Sequence, residues 1–184
     1  TLTNATFTKS YTNNSTYIIP GTLTITGTTL TNNGTLTVTT ALSGTGGLTQ
    51  GAGATLNITG TSGITTLTAT ASPNTVNYNG AAAQTIKATT YDTLKVNNTA
   101  GATLGGVATL TTLTIGDITT NSIFSDGGFT ITPQAGSVLN LTSGTYKLGS
   151  AGTATTFPAY TTINIASGTT VEYASAAAQT VSAT

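Results

Sequence analysis

The chain contains no cysteine, methionine, tryptophan, histidine or arginine, and it carries very little charge. Without cysteine, no disulfide can staple the fold, and no thiolate can attack a substrate or bind a metal. Four lysines balance four acidic residues among 184, which gives a net charge of zero. Proteins bind nucleic acid and anionic membranes through clusters of basic residues. We therefore expect neither partner.

Long hydrophobic runs are also missing. A membrane-spanning helix needs a stretch of about 18 apolar residues or more, and the sequence has none, so we expect no membrane insertion. No signal peptide is recognisable. The chain begins at Thr1 rather than at an initiator methionine, which indicates a processed mature protein or a segment of a longer one.

Threonine dominates the sequence, at 51 positions. Short runs place an apolar residue at every second position, which is the period of a strand with one buried face. Turn-forming clusters separate them, such as 32–34, 44–47 and 72–74. No window has the 3.6-residue period of a helix, so we predict an all-β fold. The clearest runs are 22–26, 35–39, 55–59, 75–78, 93–96, 112–115, 138–141, 162–165 and 170–173.

One phrase occurs twice. Residues 75–89 are TVNYNGAAAQTIKAT and residues 170–184 are TVEYASAAAQTVSAT. Such self-similarity marks a chain that stacks one structural unit, and it favours a right-handed parallel β-helix (a β-solenoid). Three strands per coil predict about 24 residues per coil, seven or eight coils, and a rod of about 35 Å. Tyr78 and Tyr173 are then expected at the same corner of two coils. The alternative fold is an antiparallel β-sandwich, a pilin-like subunit with a donor strand.

The first residues differ from the remainder. Residues 1–20 contain three aromatic residues and end at Pro20, whereas 21–184 form the repeat domain. One interpretation of 1–20 is a cap on the open end of the stack. The other is an extended arm that adds a strand to a neighbouring subunit.

The phrases TLTITGTTLTNNGTLTVTT, VNYNGAAAQTIKATTYDTLKVNN and TTINIASGTTVEYASAAAQTVSAT carry a resemblance over about residues 21–184. They resemble the Thr/Asn/Gly-rich strand repeats of bacterial surface adhesins and of autotransporter-type β-helix proteins. The resemblance implies a parallel β-helix and a location at the cell surface. It transfers no catalytic residue.

Candidate chemistry is sparse. Acid–base catalysis needs two ionisable groups held close together, but Asp92, Asp117, Asp126 and Glu172 are scattered. We interpret Asp126 as part of a turn, and Asp92 with Lys95 as a solvated surface pair. We therefore predict that the protein is not an enzyme and has no catalytic residue, metal ligand or cofactor.

Seven Asn-x-Ser/Thr motifs for glycosylation occur in the sequence, and in a chain so rich in threonine several are expected by chance. Acceptor sites need Asn-x-Ser/Thr in a secreted protein, and Asn13 and Asn14 are the acceptors we favour. The possible sites are Asn4, Asn13, Asn14, Asn33, Asn57, Asn97 and Asn140.

The function we predict is structural. The chain is expected to be a secreted or cell-surface stalk, an adhesin segment or a filament subunit that associates with identical subunits or neighbouring repeats. The alternative is a β-solenoid that binds ice or carbohydrate through a Thr-rich face. An ice-binding face needs Thr pairs in register on consecutive coils, and we expect that ladder to be broken at Asn57, Asn77, Lys95, Asn140, Asn164 and Glu172.

Overall fold

The computed structural model describes residues 3–117 and 120–181, and within them nineteen short strands stack as a parallel β-solenoid. Helices are absent from these residues. The end of the second copy of the duplicated phrase, 182–184, lies outside the described residues. The strands are β1 Ala5–Phe7, β2 Tyr11–Asn13, β3 Thr16–Ile19, β4 Thr22–Ile25, β5 Thr29–Asn32, β6 Thr35–Val38, β7 Ala41–Gln50, β8 Thr55–Ile58, β9 Thr61–Thr68, β10 Thr75–Tyr78, β11 Gln84–Ile86, β12 Thr90–Val96, β13 Ala102–Leu104, β14 Ala108–Ile115, β15 Ser122–Ser125, β16 Ile131–Leu141, β17 Gly144–Leu148, β18 Thr162–Ile165 and β19 Thr170–Tyr173.

Three sheets run along the stack. Sheet A contains β1, β2, β4, β5, β7 and β9, and it covers the early coils. Sheet B runs the whole length in the order β3-β6-β8-β10-β12-β14-β16-β18. Sheet C contains β11, β13, β15, β17 and β19 and covers the later coils. All pairings between these strands are parallel. The predicted parallel β-solenoid is thus confirmed, and the antiparallel sandwich is wrong.

Sheet B gives the length of each coil. Paired residues of successive strands are 19, 20, 20, 18 and 19 positions apart over the first five coils. They are 26 and 24 positions apart over the last two. The predicted coil of about 24 residues therefore fits only the last two coils. One insertion is visible within β16, where residues 134–137 lie opposite Thr111 alone.

The core consists of aliphatic columns. Strands of sheet B alternate buried and outward positions, as β6 and β8 show, so their apolar residues stack on one another inside. Each aliphatic side chain that is fully buried contributes roughly 1.5–3 kcal/mol before entropy is subtracted. One such column contains Leu36, Leu56, Val76, Leu94, Leu113 and Leu139.

Residues 5–19 form the first coil. Their strands β1, β2 and β3 pair with β4, β5 and β6 of the second coil. The ring of Phe7 lies 5.1 Å from that of Tyr11, which lies 6.1 Å from that of Tyr17. The Tyr11 hydroxyl donates to the Tyr17 hydroxyl. The aromatic residues of the predicted N-terminal region therefore cluster at one end of the stack.

The segment 44–47 was predicted as a turn, and that prediction is wrong, because it lies inside β7. The strand shifts its register between Gly44 and Gly47 and so contributes to two parts of sheet A. Gly44 has a φ of 115°, and a Cβ there would lie 2.1 Å from the Ile25 carbonyl oxygen. Glycine here permits a sharp bend with close backbone approach rather than a chain reversal.

The duplicated phrase occupies two different faces. Its first copy begins with β10 in sheet B and its second with β19 in sheet C. The prediction that Tyr78 and Tyr173 lie at the same corner is therefore wrong. The repeat in sequence does not correspond to the repeat of the coils.

What the phrase encodes is a corner held by glutamine. Gln84 Oε1 accepts a hydrogen bond from the Gly80 N–H at 2.8 Å, and its Nε2 donates to the Ile58 carbonyl at 2.8 Å. Ile58 is the residue paired with Tyr78 in the preceding coil. The side chain thus closes the turn and ties it to the coil below.

The second copy repeats the same bonds. Gln179 Oε1 accepts from the Ser175 N–H at 2.9 Å, and Nε2 donates to the Leu148 carbonyl at 3.2 Å. Leu148 is in turn paired with Tyr173. The two glutamines therefore form one transferable corner motif.

Replacement of Gln84 by alanine tests this motif. Gln84 is 6% exposed, so Gln84→Ala leaves buried backbone groups without partners, at a cost of about 1–3 kcal/mol each. We expect a clear loss in the free energy of unfolding, measured by urea titration. Gln134→Ala, at an exposed position, is the control and should change stability little. Equal effects of the two variants would contradict the proposed corner.

Candidate functional site

The outer side of sheet B presents two columns of side chains in register, which we call the sheet B face. Each strand contributes one residue to each column, and successive residues are paired across coils. The first column consists of Thr16, Thr35, Thr55, Thr75, Thr93, Thr112, Val138 and Thr162. The second column consists of Ile18, Thr37, Asn57, Asn77, Lys95, Thr114, Asn140 and Asn164.

The register changes the interpretation of the threonines. Six consecutive coils place threonine in the first column, from Thr16 to Thr112. Five of the six residues expected to break a threonine ladder lie in the second column, and Glu172 lies in sheet C. The expected break in the ladder of Thr pairs is therefore confirmed at these five positions and wrong for Glu172. None of the six residues enters the first column, which is interrupted only at Val138. In the sequence, this column corresponds to the residue that begins most of the alternating runs, which is usually threonine.

Amide side chains are hydrogen-bonded along the second column. Asn77 Nδ2 donates to Asn57 Oδ1 at 3.1 Å, and Asn57 Nδ2 donates to Thr37 Oγ1 at 3.3 Å. Asn164 Nδ2 likewise donates to Asn140 Oδ1 at 2.8 Å. Side-chain ladders of this kind stabilise flat sheets of many strands. The second column therefore fixes its own geometry and supports that of its neighbour.

The sheet B face is nearly free of charge. Lys95 is the one ionisable residue in the two columns, and neither column contains an aromatic residue. The face offers hydroxyls, methyl groups and amides over about 34 Å, which is seven intervals of about 4.8 Å. Such a surface can order water or contact a neutral lattice.

The acidic residues have structural partners. Asp92 Oδ2 accepts from the Asn74 N–H at 3.0 Å, and Asp117 Oδ1 accepts from the Thr120 N–H at 2.8 Å. The salt bridge of the described residues joins Lys147 and Glu172 at 3.1 Å between exposed side chains. The predicted pair of Asp92 with Lys95 is not formed.

Asp126 is buried, which the sequence did not indicate. Its Oδ1 accepts from the N–H groups of Gly128 and Gly149, both at 2.8 Å, and its Oδ2 accepts from the Thr155 hydroxyl. The predicted turn at 126–128 is present, with positive φ at both glycines. Three donors satisfy the carboxylate and connect the turn to the next coil, so the arrangement is structural.

A cavity of about 260 Å³ adjoins Asp126, lined also by Thr130, Thr153 and Pro158. Nearby, the buried hydroxyls of Tyr146 and Tyr160 have no hydrogen-bond partner of good geometry. Burial raises the pKa of both phenols, and the charge of Asp126 raises them further. The cavity is therefore lined by one carboxylate that already accepts three hydrogen bonds and by threonine hydroxyls, of which that of Thr155 donates to the carboxylate.

The predicted glycosylation sites differ in exposure. Asn13 is 2% exposed and its Nδ2 donates to Asn32 Oδ1 at 2.6 Å, so the folded chain does not present it. Asn4, Asn14 and Asn33 are exposed, and Asn57, Asn97 and Asn140 are half-buried. Four amide nitrogens already donate hydrogen bonds to side chains, those of Asn33, Asn57, Asn97 and Asn140. Asn4 and Asn14 use only their carbonyl oxygens.

No family model, curated protein or solved structure matches the chain. Among residues 3–117 and 120–181, no three His, Cys, Asp or Glu side chains lie close enough to hold a metal ion together. The same residues include no helix of sufficient length and apolarity to span a membrane. Function must therefore be argued from the solenoid itself.

The buried tyrosines predict alkaline unfolding. Burial raises the pKa of Tyr78, Tyr91, Tyr146 and Tyr160 above the ordinary 10.0. The folded state thus binds these protons more tightly, so their contribution is complete below that value and is lost as the pH rises through the folded pKa values. We expect the melting temperature to fall in alkali, and phenolate absorbance to rise as the chain unfolds.

Tyr146→Phe tests whether ionisation of a buried phenol causes this alkaline loss of stability. The Tyr146 hydroxyl has no hydrogen-bond partner of good geometry to lose, so stability at neutral pH should be nearly unchanged while the alkaline decline becomes shallower. Wild-type stability that is independent of pH through the alkaline range would contradict this assignment.

Glycan occupancy is a further prediction. In a host that glycosylates secreted chains, we expect glycans on Asn4 and Asn14 and none on Asn13, if modification acts on the folded chain. Peptide mass spectrometry measures the occupancy of each site. Occupancy of Asn13 in folded material would contradict the buried position of that residue.

Proposed function

We propose that this chain is a rigid structural segment of an extracellular protein, a surface stalk, adhesin segment or filament subunit. The observation that carries the proposal is sheet B, a parallel sheet of eight strands that runs through every coil over a continuous core. Each coil is hydrogen-bonded to its neighbours along one axis. Such a stack resists bending because any bend strains backbone pairing and core packing together.

The location outside the cell is inferred from the surface. The chain has no cysteine to oxidise, four lysines and four acids, and an exterior rich in threonine and asparagine. The same composition resembles the strand repeats of bacterial surface proteins. A neutral, hydroxyl-rich exterior suits a spacer that should not attract nucleic acid or anionic membranes.

Self-association is supported by the end of the stack at β18. Ile163 and Ile165 occupy the columns that Leu139 and Leu141 continue one coil earlier. Those leucines are completely buried, whereas the isoleucines are 38% and 40% exposed. An exposed strand edge with apolar columns is a template for another strand. A further coil, from a neighbouring repeat or from β3 of a second copy, would cover it.

Lysine at the exposed end tests this association. We expect the wild-type chain to form end-to-end particles as its concentration rises, and Ile163→Lys to prevent them because a charge would be buried at the junction. Val107→Lys is the control, since Val107 is 58% exposed and lies away from β18. Electron microscopy and sedimentation measure particle length. Short, monodisperse wild-type particles at all concentrations would overturn the filament form of the proposal.

Surface location has its own test. Antibodies against the folded chain should label intact cells of the source organism. Labelling that appears only after lysis would overturn the extracellular assignment and leave the association result unaffected.

A further inference from the structure

We propose that the sheet B face binds ice, through the first column together with the polar residues of the second. The observation behind this is register. Seven of the eight positions of the first column are threonine, and six of these follow one another without interruption. This role is separate from the structural role of the stack and uses a side of the solenoid that end-to-end association leaves open.

The face has two regular spacings, one along the solenoid axis and one along each strand. Neighbouring strands place the first-column hydroxyls about 4.8 Å apart along the solenoid axis. Within a strand, outward residues two positions apart are separated by about 6.7 Å. These two repeats lie close to the oxygen–oxygen repeats on a prism face of hexagonal ice. Only coils 2 and 6 of sheet B, which are not consecutive, supply hydroxyls at both positions, with Thr35 and Thr37 and with Thr112 and Thr114. The proposed contact is therefore made by one continuous row of threonines flanked mainly by amides, and not by a ladder of Thr pairs.

Threonine suits this contact because it offers one hydroxyl and one methyl group on a stiff side chain. A β-branched residue has a restricted χ1 angle, so the column is ordered before any ligand arrives. The amide hydrogen bonds from Asn77 to Asn57 and from Asn164 to Asn140 hold the adjoining column in place. A preorganised surface loses little conformational entropy when it contacts a solid.

Other occupants fit less well. Carbohydrate-binding sites commonly use a platform of aromatic side chains, and the two columns contain no aromatic residue. Protein interfaces are enriched in aromatic residues and arginine at their centres, and the chain has no arginine. Lys95 is the single charge on the face, so it offers no electrostatic patch. An uncharged lattice with the same two spacings, such as ice, is therefore the ligand that fits the sheet B face best.

The experiment compares two pairs of substitutions. Thr75 and Thr93 are register partners on adjacent coils in sheet B, and Thr75→Tyr with Thr93→Tyr places two bulky rings on the face. Thr85 and Thr103 are register partners on adjacent coils in sheet C, and both are exposed. Thr85→Tyr with Thr103→Tyr is the matched control. Tyrosine is favourable in strands, and melting temperatures check that both variants fold.

The measurements are thermal hysteresis, inhibition of ice recrystallisation, and the ice plane coated by fluorescently labelled protein. We expect activity in the wild-type chain, coating of prism planes, loss of activity in the sheet B pair and retention in the sheet C pair. An inactive wild-type chain, or equal loss in both pairs, would overturn the proposal. A third result would also overturn it: the wild-type chain binds insoluble cellulose or chitin, only the sheet B pair abolishes that binding, and the protein has no effect on ice. The face would then be a carbohydrate site.

Discussion

Parallel backbone pairing between coils is the interaction on which the remaining structure depends. It fixes the distance between successive coils at about 4.8 Å and aligns residues of equal position in columns. An inward column can then be filled only by side chains that pack on copies of themselves, which is why leucine, isoleucine and valine recur. An outward column inherits the same spacing, so regular exteriors follow from a regular core. A register slip of one residue would exchange the two sets.

The corners decide how far this regularity can be interrupted. Coils of 18 to 26 residues stack on one another because extra residues leave the sheets at corners or bulges and return in register. Gly44 permits one such change of direction within β7. Gln84 and Gln179 provide another solution, in which a side-chain amide takes up backbone groups that a turn leaves unpaired. Buried polar groups left without such partners would be costly.

Sequence alone predicted the strands better than the sites. All nine alternating runs form strands, because alternation reports burial directly. Coil register could not be obtained in the same way, since the duplicated phrase marks a corner and not a coil. The burial of Asp126 and Asn13 was equally hidden, because an Asp-Gly pair and an Asn-Asn pair look alike in a surface loop and in a packed corner. The threonine column was present in the sequence but needed the register to become visible.

The two columns of the sheet B face differ although they belong to the same strands. Strand propensity acts on both outward positions of a strand alike, yet the first column holds threonine in seven of eight coils and the second in only two. Propensity therefore explains why threonine is frequent, but it does not explain why it is concentrated in one column. The second column can accept asparagine because amides stack along it. The proposed contact with a periodic surface would require hydroxyl and methyl groups repeated at one position, and the first column has that arrangement.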